Sequence, residues 1–385
     1  MTLVGISSVS AICNLGNSWT EIWSGLCNCI ERNELYSEIA PEFDLDIKVA
    51  AIPSLARNLD RERPGVGAAS RLAAHTLSGI KVDQQINHLY GATNHSETDA
   101  ILAITRGLAI SLKNTEISAL LDAIDIDPLP NWTTRTAGAP EIPCTWLYSA
   151  CSSANHALSL AAIDMERLRR DLVCVLAADA LSALAIAGFY RINAVRDNSA
   201  PPLTIESTGI LIGEGACALT LKREPSSGQA ALFGFGMSCD AGHQIHPEPD
   251  GIYLERAIQS ALRMARISKS DVIGVIAHGT GTPANDGIEA KVLTRVFGSR
   301  TIPVTSLKGL IGHTMGASGL FNVAAAASAL KDRILPPAGP SGFHSLEGID
   351  LVLGVPRSLP DKGCLLCISS GFGGNHTALV IGVAQ

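Results

Sequence analysis

Aromatic side chains are scarce in this chain: Phe, Trp and Tyr make up 4% of 385 residues. With 36 glycines and abundant alanine, the composition fits close backbone packing in an α/β protein better than a β-sandwich. Positive charge is also in deficit. Only 29 Lys and Arg face 36 Asp and Glu, giving a net charge of −7 and an isoelectric point near 5.8. That argues against a nucleic-acid binder working by bulk charge. An uninterrupted apolar run of membrane-spanning length is missing too. The nearest approach, Leu172 to Tyr190, carries Asp179 in its middle and divides into a buried strand (172–177) and an Ala/Leu helix (179–191), so no membrane span is expected. The opening residues 1–10 have no basic segment and read as a first strand rather than a secretory leader. The ten cysteines are scattered, and a reduced, cytoplasmic protein is expected. Cys27-Asn-Cys29 and Cys364-Leu-Leu-Cys367 resemble a four-thiolate zinc site. The second pair, however, lies in a strand-like run whose neighbours face opposite sides, so no metal is expected.

What is present is organised around residues 146–170. Trp146-Leu-Tyr-Ser-Ala-Cys151 starts apolar and tightens through Ser-Ala-Cys-Ser-Ser; an Ala/Leu-rich stretch with helical spacing follows. The pattern predicts strand, sharp turn, helix, with Cys151 at the helix N-terminus, where the dipole is expected to lower the thiol pKa. A buried structural cysteine and a presented nucleophile both fit this stretch alone.

Before it, a strand is predicted over 3–12 and a helix after Ser18 carrying Trp19, Ile22, Trp23 and Leu26 on one face. Arg57, Arg61, Arg63 and Arg71 fall close together, either as a solvated face or as a basic patch for an acidic partner. Helices are predicted over 65–78, 96–111 and 115–123. Gly209 to Lys222 reads as two paired strands turning at Gly213–Gly215. The polar, breaker-rich stretch Glu224–Gln229 is the best internal boundary, after which strands and helices alternate again to the end.

Three later clusters bear chemistry. Ile276-Ala-His278-Gly-Thr280-Gly-Thr282 puts a histidine at the end of a buried strand; Lys308 and His313 share a Gly-rich loop; Ser370-Gly371-Phe372-Gly373-Gly374 offers backbone N–H groups in a turn. One such histidine is commonly structural. Two, each at a strand's C-terminal end where open α/β sheets bind ligands, together with a presented Cys, point to a site.

Taken in order, Ser149-Ala-Cys-Ser-Ser, Gly213-Glu-Gly-Ala, His278-Gly-Thr-Gly-Thr-Pro-Ala-Asn-Asp-Gly-Ile-Glu289, Lys308 with Gly312-His-Thr, and Gly371-Phe-Gly-Gly resemble the β-ketoacyl-acyl carrier protein synthases, ketosynthases of the thiolase-like superfamily. The resemblance implies a thiolase-like αβαβα fold of two similar lobes, residues 1–226 carrying the nucleophile and 227–385 carrying both histidines. It implies decarboxylative condensation of an acyl-Cys151 enzyme with malonyl-acyl carrier protein in polyketide or fatty-acid synthesis, assisted by His278, His313, Lys308 and Glu289, the last two as an ion pair. Phe372, flanked by Gly371 and Gly373, would supply the oxyanion hole and the gate, Thr280 and Thr282 would bind phosphopantetheine, and Arg191 with Arg57, Arg61 and Arg63 would dock an acidic carrier protein. No cofactor is implied. A homodimer or a heterodimer with a ketosynthase-like partner is implied, its interface near the 172–177 strand.

The departures are Pro202–Gly209 in place of a Pro-Phe-Asp…Arg run, Ser370 in place of a Phe, and Asn375-His376 in place of Thr-Asn. Other readings remain open: an acyltransferase or cyclase of the same fold, a subunit of a ketosynthase–chain length factor pair, or a thiol hydrolase with a Cys-His-Asp relay.

Overall fold

The computed structural model describes residues 3–40, 46–53, 67–80, 86–95, 142–196 and 198–385. The predicted helices over 96–111 and 115–123, and Arg57, Arg61 and Arg63, lie outside the described residues. In chain order the strands are β1 (Val4–Cys13), β2 (Glu34–Leu35), β3 (Lys48–Ala50), β4 (Leu89–Ala92), β5 (Cys144–Leu147), β6 (Leu172–Asp179), β7 (Ile212–Gly213), β8 (Gly215–Arg223), β9 (Ala230–Cys239), β10 (Val272–Ile276), β11 (Pro303–Thr305), β12 (Ile334–Leu335), β13 (Asp350–Leu351), β14 (Arg357–Ser358), β15 (Cys364–Gly371) and β16 (Asn375–Val383).

Eleven of these form one sheet in the order β13-β11-β10-β15-β16-β9-β1-β8-β6-β4-β5. The arms are parallel, β10 with β11 and β15 on one side, β4 with β5 and β6 on the other. The middle strands are antiparallel, and the arms meet through β1 and β9, where Val4 pairs with Leu232 and Gly5 with Ala231.

Five layers follow from which side chains meet. β6 turns Val173, Val175 and Ala177 toward the central core and Cys174, Leu176 and Ala178 toward a second cluster under the helix Ala68–Ser78, the period-2 alternation of a strand buried on both faces. β15 does the same: Leu365 and Cys367 face the central core, Leu366 and Ile368 the cluster under the helices Ile252–Ala265 and Pro283–Phe297. Between the arms run two buried helices, Ser153–Arg167 and Ser318–Asp332. They approach so closely that a Cβ on Gly319 would stand 2.3 Å from Asn155 Oδ1. Alanine-rich sequence is what permits this: small side chains let helix backbones pack against two sheets at once. The result is the αβαβα layering expected for a thiolase-like α/β protein.

Most predicted elements are present within a residue or two, including the Ser18 cap, whose side chain accepts from the Glu21 N–H. Three expectations are corrected. Gly213–Gly215 is not a hairpin turn, because β7 joins the small sheet β2-β3-β7 while β8 joins the large one. Between them the buried Glu214 accepts backbone N–H groups from Ile52 and Leu181. The helix expected from Asp179 is Ala183–Arg191, since Asp179 ends β6. The 172–177 strand is not at the sheet edge: β6 lies between β8 and β4, and among the described residues β5 is the outermost strand on that side. Among the described residues no helix is long and apolar enough to cross a membrane, and no cluster of His, Cys, Asp and Glu has the makings of a metal site.

Candidate active site

β5 leads into the elbow that carries Cys151. Ala150 takes a left-handed conformation (φ 48°), which costs a non-glycine residue roughly 1 kcal/mol, and three hydroxyl bonds hold it there. Ser152 Oγ donates to the Ser149 carbonyl (2.7 Å), Ser153 Oγ to the Ala150 carbonyl (2.6 Å), and the Ser149 N–H donates to Ser153 Oγ (2.7 Å). The serines around the cysteine therefore build the turn. Cys151 stands two residues before the first helical residue, Ser153, with 5% of its surface exposed. The expected lowering of the thiol pKa is reversed. Burial pushes it up to about 12, against the pull of the Lys308 charge and the thiol's own backbone N–H and reinforced by Asp179. Desolvation of a thiolate outweighs a helix end that lies beyond it.

β10 delivers His278, and the loop after β11 delivers Lys308 and His313. The two imidazoles stand edge to face, 5.6 Å between centroids. Each has its proton placed by its neighbours. His313 Nδ1 accepts from the Met315 N–H (3.2 Å) and lies 3.0 Å from Ser318 Oγ. His278 Nδ1 lies 3.4 Å from Lys308 Nζ, an ammonium that can only donate. In both rings Nδ1 is the acceptor and Nε2 carries the proton. Burial, then the Lys308 charge, lowers the pKa of both well below the ordinary histidine value, so both are neutral donors.

Lys308 and Glu289 form no direct ion pair; they grip one loop from two sides. Glu289 Oε1 and Oε2 accept the N–H groups of His278 and Gly279, each at 2.7 Å, and Lys308 Nζ donates to the His278 carbonyl at 2.5 Å. Burial pushes Glu289 up and Lys308 down, each partly restored by the other's charge. Backbone groups at the end of a buried strand need partners, and these two side chains meet that need.

Asp286, not anticipated as a site residue, does the same for the next turn. It accepts from the N–H groups of Thr280 (2.9 Å), Gly281 (3.0 Å) and Leu203 (2.7 Å). Its sequence signal is slight: an acid in the first turn of a helix with Pro283 at its start. Asp179, also unanticipated, accepts from Thr93 Oγ1 and from the N–H groups of Asn94, His95 and Gly316. It thereby ties the loop after β4 to the one after His313.

A cavity of about 470 Å³ opens among these elements, walled by Cys151, His278, His313, Thr280, Thr282, Gly371 and Phe372. Thr280 Oγ1 and Thr282 Oγ1 are 2.9 Å apart. Phe372 is 41% exposed and packs against Phe189 with the rings tilted by 39°, 5.7 Å between centroids. Gly373 is not in the wall; its N–H donates to the Gln244 carbonyl (2.8 Å). Gly374 has φ 76°, and a Cβ there would stand 1.8 Å from the Asp240 carbonyl oxygen, so only glycine fits that turn. Arg191 is exposed at the end of a helix whose following residues, Ile192 and Asn193, line the cavity. Ser370 and His376 also line it.

A family profile described as "Beta-ketoacyl synthase, C-terminal domain" matches residues 229–340. The ketoacyl synthase alpha subunit of the tetracenomycin polyketide synthase of Streptomyces glaucescens is 32% identical over 261 residues, 64% of this chain and 61% of that subunit. Nodulation protein E of Rhizobium sp. (strain N33) is 26% identical over 367 residues, 87% of each chain. Among solved structures, the ketosynthase ApeO in complex with its chain length factor ApeC, from Xenorhabdus doucetiae, superposes with a TM-score of 0.83 at 26% identity, covering 100% of this chain and 98% of that one.

Proposed function

The chain belongs to the β-ketoacyl synthase family, and on that premise we propose that it catalyses decarboxylative Claisen condensation of an acyl thioester with malonyl-acyl carrier protein in polyketide or fatty-acid synthesis. The observation that carries this reading is one thiol and two neutral imidazoles, each with its proton on Nε2, converging on one cavity.

Cys151 Sγ attacks the acyl carbonyl, the carrier's thiol leaves, and an S-acyl enzyme forms. The oxyanion of the tetrahedral intermediate lies against the backbone N–H groups of Cys151 and Phe372. In the malonyl thioester the bond to the carboxyl carbon then breaks. Carbon dioxide leaves and its bonding electrons form an enolate, whose oxygen takes the Nε2–H bonds of His278 and His313. Neutral donors suit this step, because they stabilise the developing charge without surrendering a proton to it. The enolate carbon attacks the acyl carbonyl, Cys151 leaves as thiolate, and the chain is longer by two carbons. The bond that breaks supplies the electrons for the bond that forms, so the reaction calls on no cofactor. Lys308, Glu289 and Asp286 hold the 278–281 backbone, Thr280 and Thr282 take the phosphopantetheine arm, and Phe372 gates the sulfur.

In this reading the lobes divide at residues 226 and 227, the protein is cytoplasmic, and Arg191 helps dock an acidic carrier protein. Its partner is a second copy or a chain length factor of the kind seen with ApeO.

Intact-protein mass after incubation with an acyl-carrier-protein thioester tests this, followed by malonyl-carrier protein. The wild type gains an acyl adduct and then yields a ketoacyl product; Cys151→Ala gains none. An adduct without an elongated product contradicts condensation, and no wild-type adduct contradicts the role of Cys151.

A further inference from the structure

Two buried polar residues in the cavity wall have no part in the reaction as outlined. Ser370 and His376 are register partners across the antiparallel pair β15–β16, and Ser370 Oγ lies 2.9 Å from His376 Nδ1. Both are buried among protein atoms, yet both line the cavity with Cys151, His278 and His313. Burial lowers the His376 pKa, against the pull of Asp240 and Glu248, and a charge on His376 would depress His278. A third neutral imidazole thus shares the void with the first two.

The pair also sits close to the nucleophile. Gly371, the residue after Ser370, packs on the cysteine elbow: a Cβ there would lie 3.1 Å from the Ser149 carbonyl oxygen and from Ser152 Oγ. When the Ser370 hydroxyl donates to Nδ1, the ring proton sits on Nε2. No hydrogen-bond partner among the described residues takes that nitrogen; the ring's one bond is to Ser370. The nitrogen opens to the cavity that His376 lines, where a substrate oxygen can accept from it. The other polar residues of the wall that the reaction leaves unused, Asn193, Thr208, His246 and Asn285, are exposed or half-buried, so Ser370 and His376 are the buried polar pair available to a bound substrate.

Resting on the condensation reading, we propose that His376, oriented by Ser370, is a specificity-determining donor for an oxygen on the carbon β to a thioester carbonyl. Two participants bring such an oxygen: the ketone of a 3-oxoacyl chain delivered to Cys151, and the carboxylate of the malonyl extender. A saturated acyl chain brings none.

The test compares the full-length wild type with His376→Phe, His376→Gln and Ser370→Ala. Intact mass gives the rates of Cys151 acylation by 3-oxobutyryl- and butyryl-pantetheine thioesters, and product formation from the butyryl enzyme gives KM for malonyl-carrier protein. If the ketone is the ligand, the 3-oxobutyryl-to-butyryl rate ratio falls by about three- to tenfold in His376→Phe, the worth of one hydrogen bond. It recovers in His376→Gln, which restores an N–H, and falls by less in Ser370→Ala. If the carboxylate is the ligand, that ratio stays and KM for malonyl-carrier protein rises by the same factor. Should His376→Phe fail to fold, Ser370→Ala alone decides, by the same two quantities. Variants that still acylate with both quantities unmoved overturn the proposal. A wild type acylated by neither thioester contradicts the condensation reading itself and removes this inference with it.

Discussion

In the N-terminal half the third strand of the large sheet, β5, runs through an elbow into the buried helix Ser153–Arg167 and presents a thiol. In the C-terminal half the third strand, β11, runs through a glycine loop into the buried helix Ser318–Asp332 and presents an imidazole. The correspondence extends further. From the centre outward, each arm holds its half's first strand, last, last but one, second and third: β1-β8-β6-β4-β5 on one side, β9-β16-β15-β10-β11 on the other, with β13 added at that edge. The second strand of the C-terminal half ends at His278. That of the N-terminal half ends at Thr93-Asn-His95, whose backbone N–H groups at 94 and 95 are taken by Asp179 as those of His278 and Gly279 are taken by Glu289. One backbone plan is thus used twice with different contents. The first copy presents a thiol, the second two imidazoles, and all three line one cavity.

The comparison breaks most severely where the two copies touch. Gly319→Leu would drive a side chain into Asn155, since even a Cβ would stand 2.3 Å from its oxygen. Because both helices are walled by sheets, the variant is expected to lose about 3 kcal/mol in urea unfolding. A loss below about 0.5 kcal/mol, within the range of ordinary surface changes, would show that the helices separate freely and that their packing does not fix the site.

Titration sharpens the contrast between the halves. Burial keeps the imidazoles neutral by lowering their pKa, and keeps the thiol protonated by raising its pKa to about 12. The thiolate fraction of Cys151 therefore grows through the whole neutral and mildly alkaline range. Iodoacetamide labelling of Cys151, followed by peptide mass, should accelerate about tenfold per pH unit from pH 7 to 9. A rate already level at pH 7 would mean the elbow stabilises a thiolate, as the sequence alone suggested.

Much of this plan was legible beforehand. Small residues around Cys151, glycine and threonine after His278, and the glycines flanking Lys308 and His313 are local demands of turns and strand ends, and local demands leave patterns. What the sequence did not disclose is mostly long-range. Gly213–Gly215 reads as a hairpin because both flanks favour strands, yet the chain changes sheets there. Glu289 and Lys308 suggest an ion pair because their charges are opposite, but each is claimed by the backbone around His278. Asp179 carries no motif, and Asp286 stands in the 278–289 block without a cue to its role, since a buried carboxylate gathering backbone N–H groups is recognisable only once the loops are in place. The thiol's pKa runs opposite to what a helix end alone implies, because its burial depends on Gly371 of the C-terminal half packing on the elbow.

The most direct test of the division of labour separates the two half-reactions in the full-length protein. Cys151→Ala and the double variant His278→Ala/His313→Ala would each be assayed for acyl adduct formation by intact mass and for carbon dioxide release from malonyl-carrier protein. The account predicts that Cys151→Ala forms no adduct yet still releases carbon dioxide. It predicts that the double histidine variant still acquires the adduct while carbon dioxide release falls at least about a hundredfold, the scale of losing preorganised donors. Undiminished release of carbon dioxide from the histidine variant would contradict it.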